Sequence, residues 1–282
     1  MDKKWQAIYI STSISNWKDK LQRKFRLPEW HFLKSRGKSA VFFGMYNPVD
    51  YFRLMWHKGP KTVFWCGSDI LNLQNRPVWQ KIIAKIPASH ICENVVEAEG
   101  LKEMGISPDE VKPCLFDDMS NIEVSFKPSK KPHVYLCIQP LREREYGLEL
   151  IETNVARACP EVTFHVYGKS KPFHEVWWED GILHNRDYAH HPNIVYHGKV
   201  PNEQFNEEIK GYQAALRMNE FDGFSEVLAK SILIGQYPIS RIPYPKGIDS
   251  YQTTEELVVL LEDLKNKRKP NPEVRRWQQI LK

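Results

Sequence analysis

The stretch NEFDGFSEVLAKSILIGQYPIS (219–240) places three acids, Glu220, Asp222 and Glu226, around Gly223, directly ahead of an apolar run. AALRMN (214–219) precedes it and has the composition of a buried strand. Phe224, Val227, Leu228, Ser231 and Ile232 then recur at helical spacing. Asp222 or Ser225 serves as N-cap, and Gly235 closes the helix ahead of Pro238. The reading is strand, acidic turn, helix. The free N–H groups of a helix start attract anions, while carboxylates accept hydroxyl protons, so sugar and phosphate together would satisfy this turn. The plainer alternative is that the acids only cap the helix.

Working outward, the same strand–helix alternation fills the chain. WQAIYIS (5–11), SAVFFG (39–44), TVFWC (62–66) and SHICE (89–93) are strand candidates in the first half. Residues 119–133, rich in proline and lysine, read as a linker. The alternation restarts with HVYLCI (133–138), a helix near 147–158 carrying Leu148, Ile151 and Val155, VTFHVYG (162–168) and NIVYHG (193–198). Strands separated by helices predict parallel sheets covered on both faces. The expected fold class is therefore α/β, with two Rossmann-like domains facing across a cleft. The expected boundaries are 1–128, 129–270 and a C-terminal helix, 271–282, returning to the first domain. Ligands of such sheets bind at the carboxyl ends of the strands.

The 282 residues suit two domains, and 41% hydrophobic content supplies real cores. The apolar run near the N-terminus is too short for a signal peptide, and no run reaches the roughly 20 residues of a membrane span, so a cytoplasmic protein without a transmembrane segment is expected. Cys66, Cys92, Cys114, Cys137 and Cys159 are odd in number and widely spaced, and read as reduced core residues. The net charge of +5 is unevenly spread. Residues 17–38 hold eight Lys or Arg against two acids, interleaved with Trp17, Phe25, Trp30 and Phe32. That pattern fits an anionic partner, with Lys20, Arg23 and Lys24 as the acceptor-side cations. Its plainer reading is an amphipathic helix with Trp17, Leu21 and Phe25 inward.

DGFSEVLAKSILIGQYPIS resembles the signature of glycosyltransferase family 4 and its GT-B relatives, in which an acidic Gly-Phe turn opens a helix ending in Gly-x-Pro. FWCGSDIL, SHICENVVEAEGLKEMGISPDEVKPCLFDD, HVYLCIQPLREREYGLELI and IVYHGKVPNEQFNEEI are similar to other pieces of that family, in the same order, so the resemblance spans roughly residues 39–265. It implies a GT-B enzyme that moves a sugar from a nucleotide-sugar (UDP- or GDP-sugar) to an acceptor hydroxyl. The transfer would be retaining and hexosyltransferase-like, without a protein-bound metal or tightly bound cofactor.

Residue by residue, the resemblance implies that Asp222, Gly223, Phe224, Ser225 and Glu226 hold the donor sugar. Arg142 and Arg144, in the loop where the family has its phosphate-binding turn, would offset the charge of the departing diphosphate, since guanidinium forks suit phosphate oxygens. Lys169 and Lys171 are further phosphate candidates, and Gly198, Lys199 and Val200 match the turn that faces the base. Gly67, Ser68 and Asp69 resemble the acceptor-side loop, with Asp69 orienting an acceptor hydroxyl or, in the plainer reading, capping a helix. Where the family carries its second glutamate this chain has Lys230, which accepts no hydroxyl proton. Lys230 then contacts phosphate, or pairs with Glu226 four residues earlier.

Gly-Lys-Ser occurs at 37–39 and 168–170, but Phe32 and Thr163 stand where a P-loop needs glycine. His184, Asp187, His190, His191 and His197 match no metal-ligand spacing and read as a polar loop. The expected function is a nucleotide-sugar-dependent glycosyltransferase acting on an anionic acceptor: modified DNA, or a lipid or glycan at a membrane surface. The alternative is a non-catalytic nucleic-acid or glycan-binding protein on the same scaffold.

Overall fold

The computed structural model describes residues 5–114, 119, 122–139, 141–171, 174–179, 182–187 and 191–281, with 174–179 and 182–187 described by their backbone. Two compact units emerge: Met1–Asn121 with Phe221–Ser225 and Ile280–Lys282, and Ile122–Glu220 with Glu226–Gln279.

The first unit is built on a five-stranded parallel sheet, in the order β1 (Ala7–Ile10), β2 (Ala40–Phe43), β3 (Lys61–Phe64), β4 (Ser89–Cys92), β5 (Glu110–Val111). Its helices are α1 (Lys18–Phe25), α2 (Pro48–Trp56), α3 (Ser68–Gln74), α4 (Pro77–Ile83) and α5 (Val95–Glu103). All four residues of β2 are inaccessible, because helices cover both faces, and AVFF is therefore apolar throughout rather than alternating. Asn47 and Asp50 form a capping box that starts α2 at Pro48. The Asp50 carboxylate also accepts from the Tyr9 and Ser11 hydroxyls, which ties α2 to β1.

In the second unit β6 (His133–Cys137) leads into a helical run made of α6 (Leu148–Leu150), a π-helical turn over Ile151–Val155 and α7 (Ala156–Ala158). There follow β7 (Thr163–Tyr167), an antiparallel hairpin β8 (His174–Glu179) and β9 (Ile182–Asp187), β10 (Ile194–Gly198), α8 (Asn202–Glu208), β11 (Ala214–Arg217), α9 (Glu226–Leu233), β12 (Ile239–Ser240), β13 (Asp249–Ser250), α10 (Thr254–Asp263) and α11 (Val274–Ile280). The six-stranded sheet runs β10-β7-β6-β11-β12-β13, all parallel. Strand order reverses between β6 and β11, the place where a doubly wound sheet opens a crevice at its carboxyl edge.

The hairpin β8–β9 and the two-residue strands β12 and β13 were not among the expected strands. Of the two N-cap positions considered, the helix start matches Ser225, since α9 begins at Glu226. Gly235 ends α9 as expected, with φ +99° and its N–H donating to the Ile232 carbonyl. All five cysteines are free. Among the described residues no helix is long and apolar enough to cross a membrane.

Candidate functional site

In the first unit, the carboxyl ends of β3 and β4 converge with the segment Phe221–Ser225. Asp69 is fully buried. Its Oδ1 accepts the backbone N–H groups of Cys66 and Ile70 at 3.0 and 2.9 Å, and its Oδ2 accepts that of Met45 at 2.9 Å. Burial pushes its carboxyl up to about 7, against the lowering effect of those backbone donors. Asp69 thus shapes the loop after β3 rather than projecting from it. Gly67 sits at φ +84°, where a Cβ would stand 2.5 Å from the Gly223 nitrogen, so glycine alone admits the acidic turn this closely.

A Cβ at Gly223 would meet the Glu93 side chain, at 2.3 Å from Oε2. That oxygen accepts the Phe224 N–H at 2.9 Å, and Asn94 Nδ2 donates to the Asp222 carbonyl at 2.8 Å. Glu97, in the first turn of α5, accepts the Glu93 N–H at 2.6 Å. Glu93 and Glu97 are buried, and each has one carboxyl oxygen without a hydrogen-bond partner among the described residues. Desolvation first pushes both well above the ordinary glutamate range; the carboxylates of Asp222 and Asp69 add to it at Glu93, and those of Glu93, Asp69 and Asp222 add to it at Glu97. Sequence reading passed over Glu93, Asn94 and Glu97. The signal present was Asn-Val-Val-Glu after an apolar strand, an N-cap pattern, which reveals the helix start but not what the acids hold.

The second unit gathers the other candidates at its switch point. The loop after β6 carries Arg142, which pairs with Glu145, and Arg144, whose Nε lies 2.8 Å from Glu149 Oε2. Lys169, after β7, donates to Glu143 at 2.7 Å, with both side chains mostly buried. Burial alone would raise the Glu143 carboxyl, but the Lys169 ammonium holds it below its usual range. Arg217, the last residue of β11, lies with its guanidinium 4.3 Å from the Tyr146 ring centroid. It was missing from the expected set, although its position ending a strand beside the loop marked it. Gly198 donates to the Lys169 carbonyl and accepts from Gly168, so the turns after β7 and β10 are tied together. Lys171 and Lys199 are exposed beside them, and Val200 is half-buried.

Lys230 points from α9 toward α8, where its ammonium donates to Asn206 Oδ1 at 2.9 Å and lies 5.4 Å from the Phe205 ring centroid. Leu21 of α1 faces the core, with Phe25 and Trp17, the residue just ahead of the helix, packed beside it. Lys20 lies over the Trp17 ring, Lys24 over Phe25, and Arg23 donates to the Asp19 carbonyl. Ser68 opens α3, and Ser225 is buried. Of the histidine group, His184, Asp187 and His190 lie outside the described side chains. His197 instead bonds His165, which bonds His133, in a ladder across β10, β7 and β6. No cluster of metal-ligating side chains occurs among the described residues.

No protein-family model and no curated protein sequence matches the chain. Solved structures do. The Anabaena protein HepE, in complex with UDP-glucose, superposes with a TM-score of 0.61 at 9% identity over 98% of this chain and 94% of its own. The lipopolysaccharide outer core galactosyltransferase WaaB gives 0.59 at 12% identity over 95% and 76%. This is the fold of the GT-B glycosyltransferases. TarM, from S. aureus, gives 0.55 at 11% identity over 85% of this chain but only 51% of its own. The chain therefore spans about half the length of TarM.

Proposed function

We propose that the protein transfers a sugar from a UDP-sugar to an acceptor hydroxyl. The observation that carries this reading is the concentration of Arg142, Arg144, Lys169 and Arg217 around the β6–β11 switch point, in a fold with neighbours solved with UDP or UDP-glucose. A leaving diphosphate gathers negative charge as the glycosidic bond breaks. Guanidinium groups already placed at a strand edge stabilise that charge without the reorganisation that water would require. The glutamates now paired with them, Glu143, Glu145 and Glu149, would be exchanged for phosphate oxygens.

The turn Asp222–Ser225 would hold the sugar, with the Asp222 carboxylate accepting its hydroxyls. Glu93 and Asn94 would act as positioning residues, because they fix the backbone on either side of Gly223. In this reading transfer proceeds with retention, needs no protein-bound metal, and moves a hexose. Asp69 shapes the acceptor-side loop with Gly67 and Ser68. Glu226 stands with the sugar-holding turn, Lys171, Lys199 and Val200 flank the nucleotide, and Lys230 replaces an acid that would otherwise accept ribose hydroxyls. An anionic acceptor, whether modified DNA or a lipid-linked glycan, and a cytoplasmic setting fit the net charge of +5.

The test is thermal stabilisation against UDP, GDP, ADP, dTDP and CMP, each alone and as its sugar conjugate. A ligand at about 100 times its dissociation constant adds roughly 2.7 kcal/mol. The expected result is selective stabilisation by UDP and more by one UDP-sugar, followed by slow sugar release. Silence across the whole panel would refute the donor assignment and favour the non-catalytic binding role, to which Lys230 already lends support.

A further inference from the structure

The helix α2 is apolar on two sides. Tyr51 and Leu54 are fully buried against the sheet, yet Val49, Phe52 and Met55, three residues apart on the opposite face, are exposed. This stripe continues beyond the helix. Phe52 stacks on Trp56 at 6.2 Å between centroids, Trp56 stacks on Phe32 at 5.1 Å, and Leu33 follows Phe32 in sequence at 76% exposure. Six large apolar side chains thus make one outward patch, of a kind that globular surfaces seldom leave uncovered without a partner.

The charge around the patch says which partner. From Trp30 to Lys61 the chain carries Lys34, Arg36, Lys38, Arg53, Lys58 and Lys61 against a single acid, Asp50. Asp50 is buried and hydrogen-bonded inward, so no carboxylate of this segment reaches the surface. Lys34, Lys38 and Lys58 are exposed, and the Arg36 guanidinium rests 4.3 Å from the Trp56 ring centroid. We infer that this face seats on an anionic phospholipid surface, with Leu33, Phe52, Val49 and Met55 entering the headgroup boundary and the lysines meeting the phosphates.

Two other occupants fit less well. Nucleic acid would stack its bases on open aromatic faces, but Phe32, Phe52 and Arg36 already stack against Trp56, and Leu33, Val49 and Met55 offer no ring. A second copy meeting this patch about a two-fold axis would set two cationic rims against each other. A bilayer carrying negative headgroups satisfies both the apolar stripe and its rim, in the manner of interfacial amphipathic helices.

Cosedimentation with vesicles tests this directly and needs no sugar transfer. Equal mixtures of phosphatidylglycerol and phosphatidylcholine should bind the full chain at least tenfold more strongly than phosphatidylcholine alone, and binding should weaken with salt. The pair Leu33→Ser and Phe52→Ser should lower that partitioning tenfold or more without moving Tm. Leu33→Glu alone repeats the test where the pair disturbs folding. Lys34→Glu with Lys58→Glu should lower binding and flatten its salt dependence. Failure to bind the anionic vesicles at low salt would overturn the inference, as would binding that ignores the apolar substitutions. A dimer in solution abolished by Leu33→Ser, with no vesicle binding, would assign the face to a second copy instead.

Discussion

His90 gives the sharpest physical test of the first unit. It lies on β4 at 6% exposure, and its Nδ1 accepts the indole N–H of Trp65 at 3.2 Å while the two rings stack. Protonating that nitrogen would place an N–H against an N–H inside the core. Burial accordingly lowers the imidazole from 6.5 to about 4, with Asp109 opposing the shift. Because the folded value is depressed, the folded protein holds fewer protons than the unfolded chain between about pH 4 and 6.5. His90 therefore contributes its full stability above 6.5, and that contribution is lost as pH falls through the window.

At pH 5 the unfolded imidazole is almost fully protonated and the folded one almost neutral, which amounts to about 2 kcal/mol relative to pH above 7. The buried acids Asp69, Glu93 and Glu97 act in the opposite sense, since their raised folded values make the folded state take up protons first on acidification. A variant comparison cancels them. In His90→Asn, Oδ1 stands as many bonds from the backbone as Nδ1 and still accepts from Trp65, but nothing titrates. Urea unfolding at pH 7 and pH 5, followed by near-ultraviolet circular dichroism, should show the variant weaker by about 1–2 kcal/mol at pH 7, from the lost ring packing. On going to pH 5 the wild type should lose about 2 kcal/mol relative to the variant, so the gap closes. Two pH curves that stay parallel would refute the reasoning.

Two further outcomes probe the converging loops. Gly67→Ala puts a Cβ 2.5 Å from the Gly223 nitrogen at a left-handed φ, so it should destabilise by at least about 1–2 kcal/mol in thermal melts and reduce sugar release more than UDP binding. Glu93→Ala removes the acceptor for the Phe224 N–H, and hydrogen exchange at that amide should quicken tenfold or more; Glu93→Gln, which keeps a carbonyl there, should leave both exchange and sugar release close to wild type.

Much of the fold was legible in the sequence because its signals are local. TVFWC and VTFHVYG are continuous apolar runs bounded by turns, and a strand buried on both faces must be written that way; β3 and β7 occupy those runs. Gly235 ends α9 because a positive φ after a helix is a property of one residue. The hairpin β8–β9 was missed because HEVWWEDGILHNRD mixes charge and aromatics without clean alternation. The short strands β12 and β13 have two residues each, too few to carry a period.

The candidate site was legible only in part. Arg142, Arg144 and Lys169 were named through the resemblance to a family's phosphate-binding loop, but the sequence does not show which acid holds each of them: Glu145, Glu149 and Glu143. Asp69 looked like a group free to face an acceptor, and only the tertiary structure engages both its oxygens with the N–H groups of Met45, Cys66 and Ile70. Lys230 had a local partner in prospect, Glu226, whereas Asn206 lies 24 residues away in sequence. By itself the sequence determined the longer strands and helices of the two parallel sheets and the glycines that permit tight turns, since backbone torsion and hydrophobic burial act over a few residues. Which acids are buried, which cations share an edge and which apolar face is left outward depend on contacts between distant residues, such as Glu93 with Phe224 across 131 positions, and those only the folded chain decides.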